Sequence, residues 1–362
     1  MNIIAEIGTA HRGSLDKAGE LIRAAARSGA DTAKFQIVIA REILHPETGT
    51  VPLPGGDVPL YDVFESLEKE ASFYASLKSM CEEEHLEFLA SPFGPGSARL
   101  LKELHPRRVK IASPEVNYTA LLKEIGSWNI PVILSSGVSR MEDLKEAVEI
   151  LMPGELTLLH CVTSYPAPEE DYNLSVLPLL EKTFGTAVGV SDHSLNPVMV
   201  PAVSTLYGAR IIEKHFTLSR EEDGLDDPIA LEPEDFRLMC DRIRELEELP
   251  REQRLSRLEK WFSSEEIRAV QGHGHKELAP SEQANYGRTN RSIHASTTLE
   301  KGTVLNPENC CIVRTEKKLN PGMHPRYFDR IMGCRINRRI PSGEGIREDD
   351  LDNPLPDSMP RT

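Results

Sequence analysis

No stretch of this chain is apolar for long. The aliphatic runs hold four to six residues, where a membrane span needs about 18 or more. Basic excess is missing as well. Lys and Arg number 42 against 57 Asp and Glu, a formal charge of −15, which disfavours a sequence-independent binder of nucleic acid or of an acidic membrane because phosphate neutralisation needs a basic face. That balance still leaves room for a local basic pocket that takes a small anion. Cysteine is sparse and scattered: Cys81, Cys161, Cys240, Cys310, Cys311 and Cys334 form no C-x-x-C, and Cys310 and Cys311 are adjacent rather than spaced for zinc. In a chain of this length they read as free thiols of a reducing compartment, not as a disulfide framework. The dinucleotide fingerprint is absent too, since the first apolar run is followed by Gly8-Thr9-Ala10-His11-Arg12-Gly13 and not by G-x-G-x-x-G. The opening residues Met1 to Gly8 show no basic segment before an apolar one. The expectation is a soluble, cytoplasmic protein with neither nucleic-acid nor membrane partners.

What is present is alternation. Over the first 249 residues, short aliphatic or β-branched runs at 3–7, 32–36, 86–90, 108–112, 132–135, 156–161, 187–190 and 210–213 alternate with longer amphipathic segments. Such nearly charge-free runs read as parallel strands covered on both faces. The segment from Ser14 has helical spacing with Ser14 as its N-cap, and 139–151 places Leu144, Ala147, Val148 and Leu151 on one stripe. Eight such units fit a (β/α)8 TIM barrel, of about 250 residues. The doubly wound open sheet is the structural alternative, disfavoured by the missing glycine fingerprint. A long insertion from 37 to about 70, rich in Pro and Gly, follows the second run and is expected to hang over the catalytic face. Residues 250–287 read as helix plus linker. Residues 288–351 form a small β-rich domain, with strand-like pieces at 291–295, 311–314 and 335–337, and 352–362 read as a flexible tail.

In a barrel of this kind the reactive groups sit where strands end. Every run here ends in polar residues: Glu6; Lys34 and Gln36; Ser91; Lys110, Ser113 and Glu115; Ser135 and Ser136; His160, Thr163 and Tyr165; Ser191, Asp192 and His193; Glu213 and His215. Two lysines with four serine hydroxyls (Ser91, Ser113, Ser135, Ser191) suit a phosphate or a phosphate-plus-carboxylate ligand. The alternative is that the lysines turn outward or pair with nearby glutamates. His193 and His215 end neighbouring strands, about 5 Å apart, and could share a divalent ion whose other ligands are water and substrate oxygens. Otherwise they are satisfied side chains bonded to Asp192 and Glu213. His160 reads as buried and structural, His273 and His275 as solvated.

The ordered strings Ile4-Ala5-Glu6-Ile7-Gly8, Lys34-Phe35-Gln36, Ser91-Pro92-Phe93, Lys110-Ile111-Ala112-Ser113, Leu134-Ser135-Ser136-Gly137, Leu159-His160-Cys161, Tyr165-Pro166, Ser191-Asp192-His193 and Glu213-Lys214-His215-Phe216-Thr217 resemble the N-acetylneuraminate (sialic acid) synthase family, NeuB. Arg291-Ser292-Ile293, Lys301-Gly302 and the segment from Tyr327 to Gly333 resemble that family's antifreeze-like SAF domain. The resemblance implies condensation of phosphoenolpyruvate with an open-chain N-acetylated hexose, giving a nine-carbon 2-keto sugar acid and phosphate. It implies that Lys34, Ser91, Lys110, Ser113, Ser135 and Ser191 hold phosphoenolpyruvate, and that His193 and His215 hold a divalent metal, Mn2+ before Mg2+ or Co2+. Gln36, Thr163, Tyr165 and Asp226 would meet the sugar, while Glu6, Glu115 and Glu213 would orient water and metal-bound groups. Arg314 would reach the neighbouring subunit's barrel, making a domain-swapped homodimer. Against the family pattern, Ser91 and Ser136 replace threonines, Thr163 an asparagine and Pro114 a glycine, and Pro54-Gly55-Gly56-Asp57 lacks an asparagine. Those departures bear on the sugar, so a legionaminate or pseudaminate synthase acting on a diacetamido-sugar is the alternative. A degenerate barrel serving as a binding protein is the non-enzyme alternative. The related synthases that use phosphorylated aldoses lack the small domain.

Overall fold

Each of the eight apolar runs is a strand. The computed structural model describes residues 1–53, 56–152 and 154–353. The strands are β1 (Asn2–Gly8), β2 (Thr32–Ile37), β3 (Thr50–Leu53), β4 (Gly56–Pro59), β5 (Glu87–Pro92), β6 (Val109–Ile111), β7 (Val132–Ser135), β8 (Leu156–Cys161), β9 (Ala187–Asp192), β10 (Ile211–His215), β11 (Arg291–Ala295) and β12 (Cys310–Arg314). Eight of them form one parallel sheet in the order β5-β2-β1-β10-β9-β8-β7-β6, curled into a nearly closed barrel with β5 beside β6. Helices Leu15–Arg27, Ala71–Glu83, Pro95–Glu103, Thr119–Gly126, Met141–Leu151, Leu177–Phe184, Met199–Ser204 and Pro233–Glu247 surround it. Ser14 caps the first of these, its hydroxyl accepting from the Lys17 amide at 3.2 Å. The stripe Leu144, Ala147, Val148 and Leu151 is buried as its spacing predicts.

The strand period decides which residues reach the barrel's mouth. Ile4, Leu89, Ile133, Leu159 and Ile211 make a separate apolar cluster inside the barrel, while their neighbours Ile3, Ala5, Leu134 and Ile212 pack with the helices outside. Side chains two positions apart along a strand share a face. Glu6, Ser91, Ser135, Cys161 and Glu213 each follow that interior plug by two residues, so polar groups line the lumen directly above it. At the opposite end Arg108 closes the barrel floor with Glu87 (2.6 and 2.7 Å), Asn2 (3.0 Å) and Thr32 (3.1 Å).

The insertion after β2 is more ordered than its Pro/Gly content suggests. It builds helix Ala40–Ile43, the β3–β4 hairpin and helix Leu60–Ser66 around Val38, Ile43, Leu44, Leu60 and Phe93. Pro54 and Gly55 of its tip lie outside the described residues. The 250–287 segment contains helices Arg251–Leu258 and Ser264–Gln271, whose Leu258, Ile267 and Val270 join the main core, so this part packs on the barrel rather than hanging as a linker. The chain from 272 then crosses the mouth, tied down by Asn173 to the Gly274 amide (2.7 Å) and the His275 carbonyl (2.8 Å).

The small domain has its own core of Ile293, Leu305, Ile331, Ile336, Ile340 and Ile346. Its β11 and β12 pair antiparallel; the third expected strand, at 335–337, is present as isolated bridges Val304–Arg335 and Ile336–Leu351. Residues 354–362 of the expected tail lie outside the described residues. Among the described residues no helix is long and apolar enough to cross a membrane.

Candidate active site

A cavity of about 330 Å³ opens at the C-terminal end of the barrel strands, the size of a small-molecule site. All the residues given a site role from the sequence line it except Glu115, while Ser136, His160 and Asp192 at the same strand ends do not. At its base, Lys34 Nζ lies 3.1 Å from Glu6 and 3.2 Å from Glu213, and Lys110 Nζ lies 2.7 Å from the Ser135 hydroxyl and 3.7 Å from Glu213. The Ser191 hydroxyl donates to Glu213 at 3.1 Å and the Gln36 amide to Glu6 at 2.9 Å. The lysines are therefore both inward-facing and paired with glutamates; the two readings of the sequence are not exclusive.

Burial and charge push the two carboxyls apart. Burial alone would raise Glu213, but Lys110 and Lys34 outweigh it and hold the group at about 2, a fixed anion. Glu6 is raised, because burial exceeds the pull of Lys34. Lys110 is lowered by burial, with Glu213 opposing; Lys34 is raised, because its two carboxylates outweigh burial. Two carboxyls so separated can divide electrostatic and proton-handling work.

His193 and His215 face the same cavity with ring centroids 5.4 Å apart. Neither uses the partners that would make it merely structural. Asp192 holds Lys214 (2.7 Å), and His193 Nδ1 meets the Val162 carbonyl at 2.8 Å. That contact requires the proton on Nδ1, leaving Nε2 to face a ligand. Burial would lower His193, but the Cys161 sulfur and the Val162 carbonyl bring it to about 8; burial takes His215 to about 4, with Asp226 opposing at 3.8 Å. The ring of Tyr165 stacks on His193 at 4.3 Å and stands edge-on to His215 at 6.0 Å. Two imidazoles aimed into one cavity fit a divalent ion that completes its shell with water and substrate oxygens. Among the described residues no group of three or more His, Cys, Asp or Glu is arranged to hold a metal without such help.

The side of the cavity facing the sugar is assembled from afar. Ser113 accepts from the Gly137 amide at 3.0 Å, an approach only glycine allows: a Cβ there would meet Thr163 Oγ1 at 2.1 Å. Thr163 is held by its amide on Glu282 (2.8 Å) and by its carbonyl on Asn285 (2.8 Å), both from the segment crossing the mouth. Phe64, Leu67, Phe93 and Leu225 form an apolar wall, two of them supplied by the insertion. Arg314 lies over the Phe93 ring (5.3 Å) and donates to Glu115 at 2.9 Å. In this single chain it does so over the barrel that precedes it, where the resemblance implied the neighbouring subunit's barrel. Glu115 lies beneath Arg314, fully buried, rather than on the cavity wall. His160 is buried against the Tyr172 carbonyl at 2.6 Å, and His273 is half exposed, both as expected. Sequence reading passed over Cys161, Phe64, Leu67, Glu282 and Arg291 as site components. Of these, only Cys161 and Arg291 lay in strings already singled out.

Comparison with known proteins agrees with this architecture. The NeuB family profile matches residues 21–254 and the SAF domain profile residues 290–352. The chain belongs to the NeuB family. It is similar to the spore coat polysaccharide biosynthesis protein SpsE of Bacillus subtilis, 35% identical over 96% of this chain and 93% of that protein. The crystal structure of SpsE matches at TM-score 0.80 with 34% identity, covering 97% of this chain and 94% of that one. N,N'-diacetyllegionaminic acid synthase of Campylobacter jejuni is 30% identical over 96% of this chain and 98% of its own length. A crystal structure of N-acetylneuraminic acid (sialic acid) synthetase from Leptospira borgpetersenii, in complex with citrate, matches at TM-score 0.62 with 29% identity, covering 78% of this chain and 89% of that one. In this NeuB-family chain the two matched profiles follow one another, the barrel first and the small domain after it.

Proposed function

We propose that this chain condenses phosphoenolpyruvate with an open-chain N-acetylated hexose and water, giving a nine-carbon 2-keto sugar acid and phosphate. The observation that carries the reading is the base of the cavity, where Lys34, Lys110 and four serine hydroxyls face two histidines across one small volume. A cationic, hydroxyl-rich base suits a ligand bearing both phosphate and carboxylate. His193 and His215 would hold a divalent ion, Mn2+ by preference, which supplies Lewis-acid polarisation of the sugar aldehyde. The enol carbon of phosphoenolpyruvate bonds to that aldehyde carbon as the carbonyl π bond breaks, and the aldehyde oxygen takes a proton from solvent. Cationic character then develops at the second carbon, beside the phosphate ester. Glu213, a fixed anion between the lysines, stabilises that charge. Glu6, raised by burial, takes the proton from the water that adds there. The C–O bond to phosphate breaks, the hydroxyl at that carbon passes its proton to the departing phosphate as the keto group forms, and Lys34 and Lys110 neutralise that phosphate.

The acceptor is the finer question. Gln36, Thr163, Tyr165, Asp226 and Arg314 surround it in this reading, with Glu115 acting through Arg314. The apolar wall of Phe64, Leu67, Phe93 and Leu225 favours an acceptor with fewer hydroxyls than N-acetylmannosamine, such as a diacetamido-sugar of the legionaminate or pseudaminate type. A complete reactive set, with lysines and histidines in one cavity, speaks against a bare binding protein. The product would enter surface polysaccharide synthesis, and free thiols with a phosphoenolpyruvate substrate support a cytoplasmic location. The working unit in this reading is a homodimer exchanging small domains, whose contacts would be those seen here within one chain. The test is phosphate release with phosphoenolpyruvate, Mn2+ and a panel of mono- and diacetamido hexoses. Release with at least one acceptor, and none without acceptor, is expected; no release with any would end the synthase reading.

A further inference from the structure

Among the described residues Arg291 is the largest fully buried side chain, and neither the cavity nor the reaction above uses it. Its guanidinium is shared among three separate barrel loops. Nε and Nη2 donate to Glu115, after β6, at 3.0 and 2.8 Å. Nη2 also donates to the Phe93 carbonyl, after β5, at 2.7 Å, and Nη1 to the Glu42 carbonyl of the insertion and to that of Ile43 at 3.4 Å. Those bonds engage all three nitrogens of the fork, so this arginine has a fixed direction and nothing to offer a ligand. Its backbone is clamped as well: Asn117 accepts from the Arg291 amide at 3.1 Å and donates to its carbonyl at 2.8 Å. The plane of the guanidinium lies by the Tyr118 ring, 5.4 Å from its centroid.

What Arg291 holds in place is Arg314. The two residues face each other across the β11–β12 ladder, and both donate to the same oxygen, Glu115 Oε1. Arg291 is fully covered, while Arg314 keeps 13% of its side chain exposed and lines the cavity. One carboxylate is thus anchored from behind by a buried arginine and presents a second arginine in front.

The geometry points to Arg291 as the positioning residue of the acceptor site: it locks the small domain onto the barrel through Glu115, Phe93 and the insertion, and so sets where Arg314 meets the sugar. This rests on the proposed function only in taking Arg314 to be a sugar contact. A lysine cannot reproduce a planar fork that bonds three loops at once. The Arg291→Lys protein should raise the acceptor KM about tenfold or more, with the phosphoenolpyruvate KM within about twofold of wild type, since misplacing a binding group by about 1 Å is felt on that scale. Amide hydrogen exchange over 310–314 should rise in the same protein. Combining Arg291→Lys with Arg314→Lys should add little to the single Arg314→Lys, because the two act in series. Asn117→Ala, which loosens only the backbone clamp, should move acceptor KM in the same direction by less, and serves if Arg291→Lys fails to fold. Unchanged exchange over 310–314 overturns the lock whatever the activity. Raised exchange with an unchanged acceptor KM, equal rises in both KM values, or additive effects in the double variant overturn the positioning role. Absence of phosphate release in the wild type would sink the synthase reading alone, and the exchange measurement would still decide the lock.

Discussion

Lys110 carries the clearest single-residue expectation. It is fully buried, lowered by desolvation, bonded to Ser135 and only partly compensated by Glu213 at 3.7 Å, so an anionic ligand at the base of the cavity gains from its charge. Lys110→Ala should weaken phosphoenolpyruvate binding by about 1.5–3 kcal/mol, the range for a charge-assisted bond, roughly ten- to hundredfold in KM. Steady-state kinetics in phosphoenolpyruvate at fixed acceptor reads this directly, and wild-type kinetics would remove the anion site. For the histidines the outcome to seek is paired. His193→Ala and His215→Ala should each abolish measurable Mn2+ binding by calorimetry together with turnover, while the melting temperature stays close to wild type, because both rings border the cavity rather than the core. The positions of these side chains were legible from strand ends alone. Their partners were not: nothing local says that Glu6 and Glu213 would share Lys34 across β1, β2 and β10.

At the scale of elements, β11 brings a titration of its own. His294 is completely buried between Ser292, Thr315 and the Gly343 carbonyl (2.7 Å), and burial lowers it to about 4, with that carbonyl opposing and His45 and Glu344 as its titratable neighbours. A histidine kept neutral by the fold binds its proton in the unfolded chain first. Between about 6.5 and 4 the unfolded state therefore holds more protons, and stability falls as the pH falls through that window. At pH 5 the loss relative to pH 7.5 is on the order of 2 kcal/mol. Melting curves of wild type and His294→Asn should converge as the pH drops from 7.5 to 5, since the variant lacks this titration; parallel curves would refute it. The insertion is the element least readable in advance. Its pieces are short and bounded by prolines and glycines, and they became ordered by packing on Phe93 and by bonds such as Lys318 N to the Thr48 carbonyl (3.0 Å), more than 260 residues apart.

For the whole molecule the question is which barrel each small domain serves. The contacts seen within one chain, from Arg291 and Arg314 to Glu115, involve identical residues if two chains exchange their small domains, and exchange of an element is a low-cost route to a closed dimer. Mixing inactive His193→Ala with inactive Arg314→Ala should restore part of the activity if the domain is exchanged, because one barrel of the mixed dimer would have both intact histidines and an intact Arg314. No recovery, with subunit mixing shown by mass, would assign Arg314 to its own barrel. The sequence by itself determined the barrel and most of the polar groups at its strand ends, because strands covered on both faces must be apolar and period two carries the next inward residue to the mouth. Only the tertiary structure decided that Glu115 faces two arginines from 176 and 199 residues away, and that Glu282 holds Thr163 across the mouth. Strand periodicity is written in neighbouring residues, whereas these pairings arise where the returning chain happens to cross the barrel, and no local pattern encodes that crossing.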